Sequence, residues 1–321
     1  MQNPNIAPTP ADIEAARAVV SASLAPTPLL HAADLGADLA GDLYLKCELL
    51  QPTGSFKLRG ALNWMANASD TELARGLVTV SAGNHATGLA WAARQKNVPV
   101  TVVMPADASP MKTATARALG AEVELIGSIA DAWGRAAELQ ADGLTMVPPY
   151  DDPRIIAGAG TLGLEIIDQC PSAPDVVVCC VGGGGMLSGV GLAIRQVYPS
   201  ARIIGVEPEG AATLTRSWAA GGPVTLETTT TIAASLAANR AGRWTHEISR
   251  QVVDEIVTLS EDEIIAGTKA TLTRGRLFAE PGGAIAVAAL LHGHVAVDEN
   301  ETAVAIVSGG NMDLPLLKGI L

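Results

Sequence analysis

Short unbroken aliphatic runs alternate along most of the chain with alanine-rich stretches whose apolar residues recur at helical spacing. The runs at 42–48, 76–81, 98–104, 122–126, 176–181, 202–206 and 304–308 predict strands. Most of them are apolar throughout, the pattern of parallel strands covered on both faces. The stretches between them carry helix starts. Ser109-Pro110 places a cap and a first-turn proline before MKTATARALG, and Ser260 with Glu263 forms a capping box before IIAGTKATL. This alternation predicts an α/β architecture, a mainly parallel sheet with helices on both faces. Residues 146–160, MVPPYDDPRIIAGAG, are rich in proline, aspartate and glycine and predict a crossing between two lobes.

Residues 176–194 carry no charge, long enough to suggest a membrane span, but four consecutive glycines interrupt them and favour a strand, a tight loop and a helix. The net charge of -12, with no basic block, argues against nucleic acid and anionic membranes as partners. Cys47, Cys170, Cys179 and Cys180 lack CxxC spacing and read as reduced core thiols. With no signal-like N-terminus, they point to the cytoplasm.

Ligands in such folds bind beyond the carboxyl ends of strands, so the loops there are the candidates for chemistry. After the run at 42–48 comes GSFKLRGA, which puts Lys57 in the first turn of a predicted helix. The positive end of the helix dipole disfavours a charged amine there, so the lysine tends toward a neutral nucleophile; a solvated surface lysine is the alternative. After 76–81, SAGNHATG offers an anion cradle at a helix N-terminus, against an ordinary capped helix with His85 satisfied in the core. After 176–181, Gly182, Gly183, Gly184 and Gly185 lead into Met186-Leu-Ser. Glycines let the backbone approach a phosphate, and without a following GK[ST] this is no nucleoside-triphosphate loop. The last run ends in Ser308-Gly-Gly-Asn311. An amine, an amide-bearing cradle, a phosphate cup and a hydroxyl together are what pyridoxal phosphate requires.

With KCE (46–48) and GSFKLRGA, SAGNHATG, PPYDDPRIIAG, VGGGGMLSG, Glu280-Pro281 and SGGN in this order, the chain resembles the threonine/serine dehydratase and serine racemase group. These are fold-type II pyridoxal-phosphate enzymes, and the likeness runs from about residue 10 to Asn311. The resemblance implies a large cofactor-binding domain from residues 1–70 and 150–321, a small closing domain from 71–149, and a homodimer. It gives Lys57 the Schiff base with the cofactor aldehyde and places Phe56 beside the ring. Asn84 goes to the ring hydroxyl, Gly182 to Met186 to the phosphate, Glu280 to the cofactor site and Ser308 to the pyridine nitrogen. Ser81, Ala82, Gly83, Asn84 and His85 go to the substrate carboxylate, with Ser81 and Lys57 as catalytic residues.

The implied reaction is dehydration of a β-hydroxy amino acid to a 2-oxo acid and ammonia. Two other readings compete: an amino acid racemase, and a non-catalytic phosphate- or nucleotide-binding protein. Where racemases resemble one another in a second serine after Ser81, this chain has Ala82, which has no proton to give. Racemase-like relatives also imply a divalent cation (Mg or Ca) on Glu207 and the Ala211 carbonyl. Thr213, a poor ligand for a hard cation, replaces the second carboxylate. Ala159 and the segment TIAAS (231–235) replace a glutamine and an acid of the family pattern. A larger or neutral pocket is expected from this, and with it a substrate such as 3-hydroxyaspartate or phenylserine as an alternative to threonine or serine. Ten residues after Asn311 leave no regulatory domain, so an enzyme without feedback control is expected.

Overall fold

The structure, a computed structural model, describes residues 5–321. The chain opens with helix α1 (Pro10–Ser21), strands β1 (Leu29–His31) and β2 (Asp42–Cys47), then α2 (Lys57–Asn67) and α3 (Asp70–Ala74). A smaller unit follows: β3 (Leu77–Val80), α4 (Asn84–Arg94), β4 (Val100–Met104), α5 (Pro110–Ala118), β5 (Glu122–Leu125), α6 (Ile129–Ala141) and β6 (Thr145–Met146). The remainder contains α7 (Pro153–Gln169), β7 (Val176–Cys180), α8 (Gly185–Val197), β8 (Arg202–Pro208), α9 (Thr213–Ala220) and α10 (Arg243–Val252). It closes with β9 (Glu255–Leu259), α11 (Glu261–Thr273), α12 (Pro281–Leu291), β10 (Thr302–Val307) and α13 (Leu314–Ile320).

The strands form two sheets. The larger has the order β1-β2-β10-β7-β8-β9 and is parallel except for the antiparallel edge strand β1. The smaller, β5-β4-β3-β6, is parallel throughout. All seven predicted strands are present, with ends shifted by a residue or two. The short edge strands β1, β6 and β9 have no counterpart among the predicted runs. Strand β10 is buried at every position, as are β3 and β7. That is the reason their sequences read as unbroken apolar runs.

The register fixes where the loops meet. Val307 lies opposite Cys47, and Ala305 opposite Val178, so β2, β10 and β7 present their carboxyl ends side by side. The loops to Lys57, Ser308 and the four glycines therefore leave one edge of one sheet. Lys57 begins α2, which packs on α7 and on α4 and so lies between the two sheets. The predicted crossing at 146–160 is only half loop, because its second half is the start of α7. Gly158 and Gly160 there let α7 lie against α2 and α8: a Cβ at Gly158 would meet Gly60 Cα at 2.8 Å, and one at Gly160 would meet the Gly189 carbonyl at 2.9 Å.

A buried charge network sets the position of α2. Arg59 donates from Nε and Nη2 to the Glu48 carboxylate at 2.7 and 2.8 Å, and from Nη1 and Nη2 to Glu165 at 2.7 and 2.8 Å. Lys46 donates to Glu165, to the Thr27 carbonyl and to Gln169 at 2.6–2.7 Å. Two cations face two anions, and every charge is hydrogen-bonded, the condition under which buried ions are tolerated. Burial alone would raise the Glu48 carboxyl, but the Arg59 charge and hydrogen bonds hold it below its ordinary value. Lys46 is pushed down by burial, with Glu165 working the other way.

Candidate active site

A cavity of about 880 Å³ lies between the two sheets. Of the residues selected from sequence, its wall includes Phe56, Lys57, Ser81, Ala82, Gly83, Asn84, His85, Gly182, Gly183, Gly184, Gly185, Met186 and Ser308. Glu280 is buried just behind Asn84, and Glu207 and Ala211 lie outside the wall.

Lys57 is the first residue of α2, whose N-cap, Phe56, makes no side-chain cap. The Lys57 Nζ donates to the Pro149 carbonyl at 2.8 Å and sits 5.2 Å from the Phe56 ring centre. Burial strips water from the ammonium and brings its pKa down to about 8, against a small opposing effect of Cys180. Far more of the amine is then neutral near pH 7 than in a free lysine, and the neutral form is the one that attacks an aldehyde or accepts a proton.

Two further helix N-termini face the same cavity without side-chain caps. Helix α8 starts from Gly184, whose φ of +86° is the left-handed region that favours glycine. A Cβ on Gly183 would run into the Tyr150 ring, and one on Gly185 would lie 3.0 Å from the Tyr150 carbonyl. The glycines thus form a cradle too tight for side chains, with the first-turn amides of α8 available to an anion. Helix α4 starts from Gly83, again with no side-chain cap, and Gly83 N–H donates to Ser81 Oγ at 3.2 Å. His85 holds its Nε2 on the Val147 carbonyl at 3.2 Å and leaves Nδ1 without a protein partner. Burial, then the Lys57 charge, pushes it down to about 3, so the ring is neutral.

Asn84 is held by both ends of its amide. Its Nδ2 donates to Glu280, and its Oδ1 accepts from Asn311 Nδ2 at 2.8 Å. One donor and one acceptor site remain for a ligand. Burial raises the Glu280 carboxyl, with Lys112 and Asn84 acting in opposition. Ser308 is pinned through its backbone, donating N–H to Gly283 and accepting from Phe56 N–H at 3.2 and 3.1 Å.

The cation expectation does not fit. Both Glu207 oxygens are taken by the start of α9: Leu214 N–H at 2.7 Å on one, Thr215 N–H at 2.9 Å and its hydroxyl at 2.7 Å on the other. Thr213 spends its hydroxyl on the Ala238 carbonyl at 2.6 Å. Among the described residues no group of three or more His, Cys, Asp or Glu side chains could hold a metal. Glu207 is an anchor for α9, and the residues as arranged do not offer a hard cation its oxygen ligands. The pocket expectation is corrected in part: Ser235 lines the cavity, but Ala159 is buried inside α7 away from it.

Among the site's residues that the sequence did not single out, four bear on its chemistry. Cys180, read as a core thiol, lines the cavity, as do Tyr150 and Lys112. Asn311 orients Asn84. For Asn311 and Cys180 a signal exists in the sequence, since each adjoins the end of a strand; Lys112 reaches the cavity from the other lobe, and nothing local marks it.

An amine made partly neutral by burial, an anion cradle of glycines and an oriented amide on adjoining strand ends define an α/β enzyme that holds an aldehyde-phosphate cofactor. The chain belongs to the family described as pyridoxal-phosphate dependent enzyme, whose model matches residues 20–309. It is 40% identical over 297 residues to the L-threonine ammonia-lyase of Geobacter sulfurreducens, covering 92% of this chain and 73% of that protein. Among solved structures it is similar to the processed form of threonine deaminase isoform 2 from Solanum lycopersicum (TM-score 0.89, 39% identical, 97% of this chain and 90% of that one). It is also similar to maize serine racemase (TM-score 0.92, 32% identical, 98% and 97%). Among the described residues no helix is long and apolar enough to cross a membrane.

Proposed function

We propose that this protein is a pyridoxal-phosphate-dependent ammonia-lyase that converts a β-hydroxy amino acid of the threonine/serine type to a 2-oxo acid and ammonia. The observation that carries this reading is Lys57, a buried amine with a pKa of about 8 on a cavity wall that also carries a Ser81-Ala82 pair, in which Ala82 has no proton to give. Dehydration needs a proton moved at one face of Cα, whereas racemisation needs a second group opposite it. When bound, the cofactor supplies an aldehyde for the substrate amine and a conjugated ring that draws electrons from Cα.

The chain's own residues supply the rest. The backbone amides from Gly182 to Met186, the loop and first turn of α8, would hold the phosphate, Asn84 with Glu280 behind it would hold the ring hydroxyl, Phe56 would lie beside the ring and Ser308 would meet the pyridine nitrogen. The turn Ser81–His85 binds the substrate carboxylate with its backbone amides and the Ser81 hydroxyl, which fixes Cα relative to Lys57. Lys57 accepts the Cα proton at Nζ. The β-hydroxyl then leaves with a proton as water, the released enamine takes up a proton at Cβ, and water adds at Cα of the resulting imine to give the 2-oxo acid and ammonia. We further infer a small domain of residues 71–149 closing on a large one of 1–70 and 150–321, a homodimer, and a cytoplasmic location consistent with four free cysteines.

Product analysis on L-threonine, L-serine, 3-hydroxyaspartate and phenylserine tests the reading. Equimolar 2-oxo acid and ammonia from threonine or serine is the expected result. Release of the D-enantiomer without 2-oxo acid would establish the racemase instead, and turnover confined to 3-hydroxyaspartate or phenylserine would reassign the substrate.

A further inference from the structure

Cys180 has no part in the chemistry above, yet it ends β7 on the cavity wall and is 4% exposed. Its Sγ donates to Ser308 Oγ at 3.2 Å. Ser308 follows β10, the parallel neighbour of β7, and is 5% exposed. With its N–H and C=O both bonded to protein, only the hydroxyl of Ser308 is left to turn. That hydroxyl has one proton and two lone pairs. The thiol occupies one lone pair, and the protein acceptor within reach of the proton is the Gly282 carbonyl at 3.5 Å, a long and weak contact. Burial pushes the Cys180 thiol up to about 11, so it stays protonated and remains a donor at neutral pH.

We propose that Cys180 is a positioning residue: its thiol fixes the Ser308 hydroxyl so that the serine proton points to the cofactor's pyridine nitrogen. This rests on the placement of Ser308 at that nitrogen. A hydroxyl that already accepts from sulfur is set to donate, and a donor stabilises the nitrogen in its unprotonated form. The ring then withdraws less charge from Cα than a protonated pyridinium would, which suits prompt loss of the β-hydroxyl over persistence of a carbanion.

The test is the 15N chemical shift of ring-labelled cofactor bound to the wild-type holoenzyme and to variants. Ser308→Ala is expected to shift the signal away from the wild-type value. Cys180→Ala and Cys180→Val, two variants without a donor, are expected to move it in the same direction. Cys180→Ser, which restores a donor, is expected to return it. In the Ser308→Ala background, Cys180→Ala is expected to add nothing. A freed hydroxyl has three staggered positions to choose from, so the donor-less variants are expected to weaken cofactor affinity by up to about threefold. An unchanged signal in Ser308→Ala overturns the placement of Ser308 itself. A shift in Ser308→Ala with none in Cys180→Ala or Cys180→Val overturns the role of Cys180 alone. Equal shifts in the alanine, valine and serine variants at 180 reduce that role to packing and overturn it as well.

Discussion

Replacing Glu48 by glutamine probes how Lys57 is held in place. Glu48 and Arg59 are both fully buried, and their two hydrogen bonds of 2.7 and 2.8 Å are charge-assisted. Glutamine keeps the shape but turns one oxygen into a donor facing the Arg59 donors, and leaves two cations, Lys46 and Arg59, against Glu165 alone. Breaking a buried pair in this way costs about 3–5 kcal/mol. Arg59 retains its two bonds to Glu165, so a loss of about 3 kcal/mol, the low end, is expected. Urea unfolding of the cofactor-free protein, followed by circular dichroism, measures it as a lowered midpoint at unchanged slope. Glu48→Gln combined with Arg59→Gln restores neutrality, and is expected to be at least about 1 kcal/mol less destabilised than the sum of the single changes. A single-variant loss below about 1 kcal/mol, or strict additivity, would refute the coupling between the two charges.

Three further outcomes follow from the site. In the cofactor-free protein the folded state holds Lys57 at a pKa of about 8 against 10.5 for the free side chain, so below pH 8 the folded state carries a penalty that disappears as pH rises to 10.5. Lys57→Met is therefore expected to be more stable than wild type at pH 7 by about 2 kcal/mol, allowing for the lost Pro149 bond, with the advantage fading by pH 10.5; a constant difference across that range would contradict this. Gly184→Ala forces a side chain into a φ of +86° and within 3.0 Å of Thr245 Cβ, and is expected to destabilise by about 1–2 kcal/mol and weaken cofactor binding, read by thermal unfolding and fluorescence titration. Ala82→Ser is expected to raise formation of the D-enantiomer relative to 2-oxo acid, measured by chiral chromatography; an unchanged ratio would deny position 82 any part in reaction choice.

The sheet is legible in the sequence because buried parallel strands must be apolar on both faces, and Val176–Cys180 and Thr302–Val307 announce themselves for that reason. Strands β1, β6 and β9 escape because none has a fully buried face: β6 has two residues, and β9 runs from an exposed Glu255 to a buried Leu259. The glycines of α7 mislead in the other direction, reading as loop when they mark close helix packing. Lys57 and the glycine cradle are visible because each follows a strand directly. Cys180 is legible as the end of a strand, but its contact with Ser308 is not, since period-two alternation cannot show which neighbour a side chain meets across a sheet. Lys112 comes from the other lobe, and only the assembled structure brings it to the cavity.

Two lysines, Lys57 and Lys112, line the cavity, and the cofactor bond is assigned to the first. Borohydride reduction of the cofactor-loaded protein, followed by proteolysis and mass spectrometry, locates that bond directly. The reduced pyridoxyl group is predicted on the peptide carrying Lys57, and to be absent from the Lys57→Ala protein. A label on Lys112, or none on Lys57, would contradict the central claim.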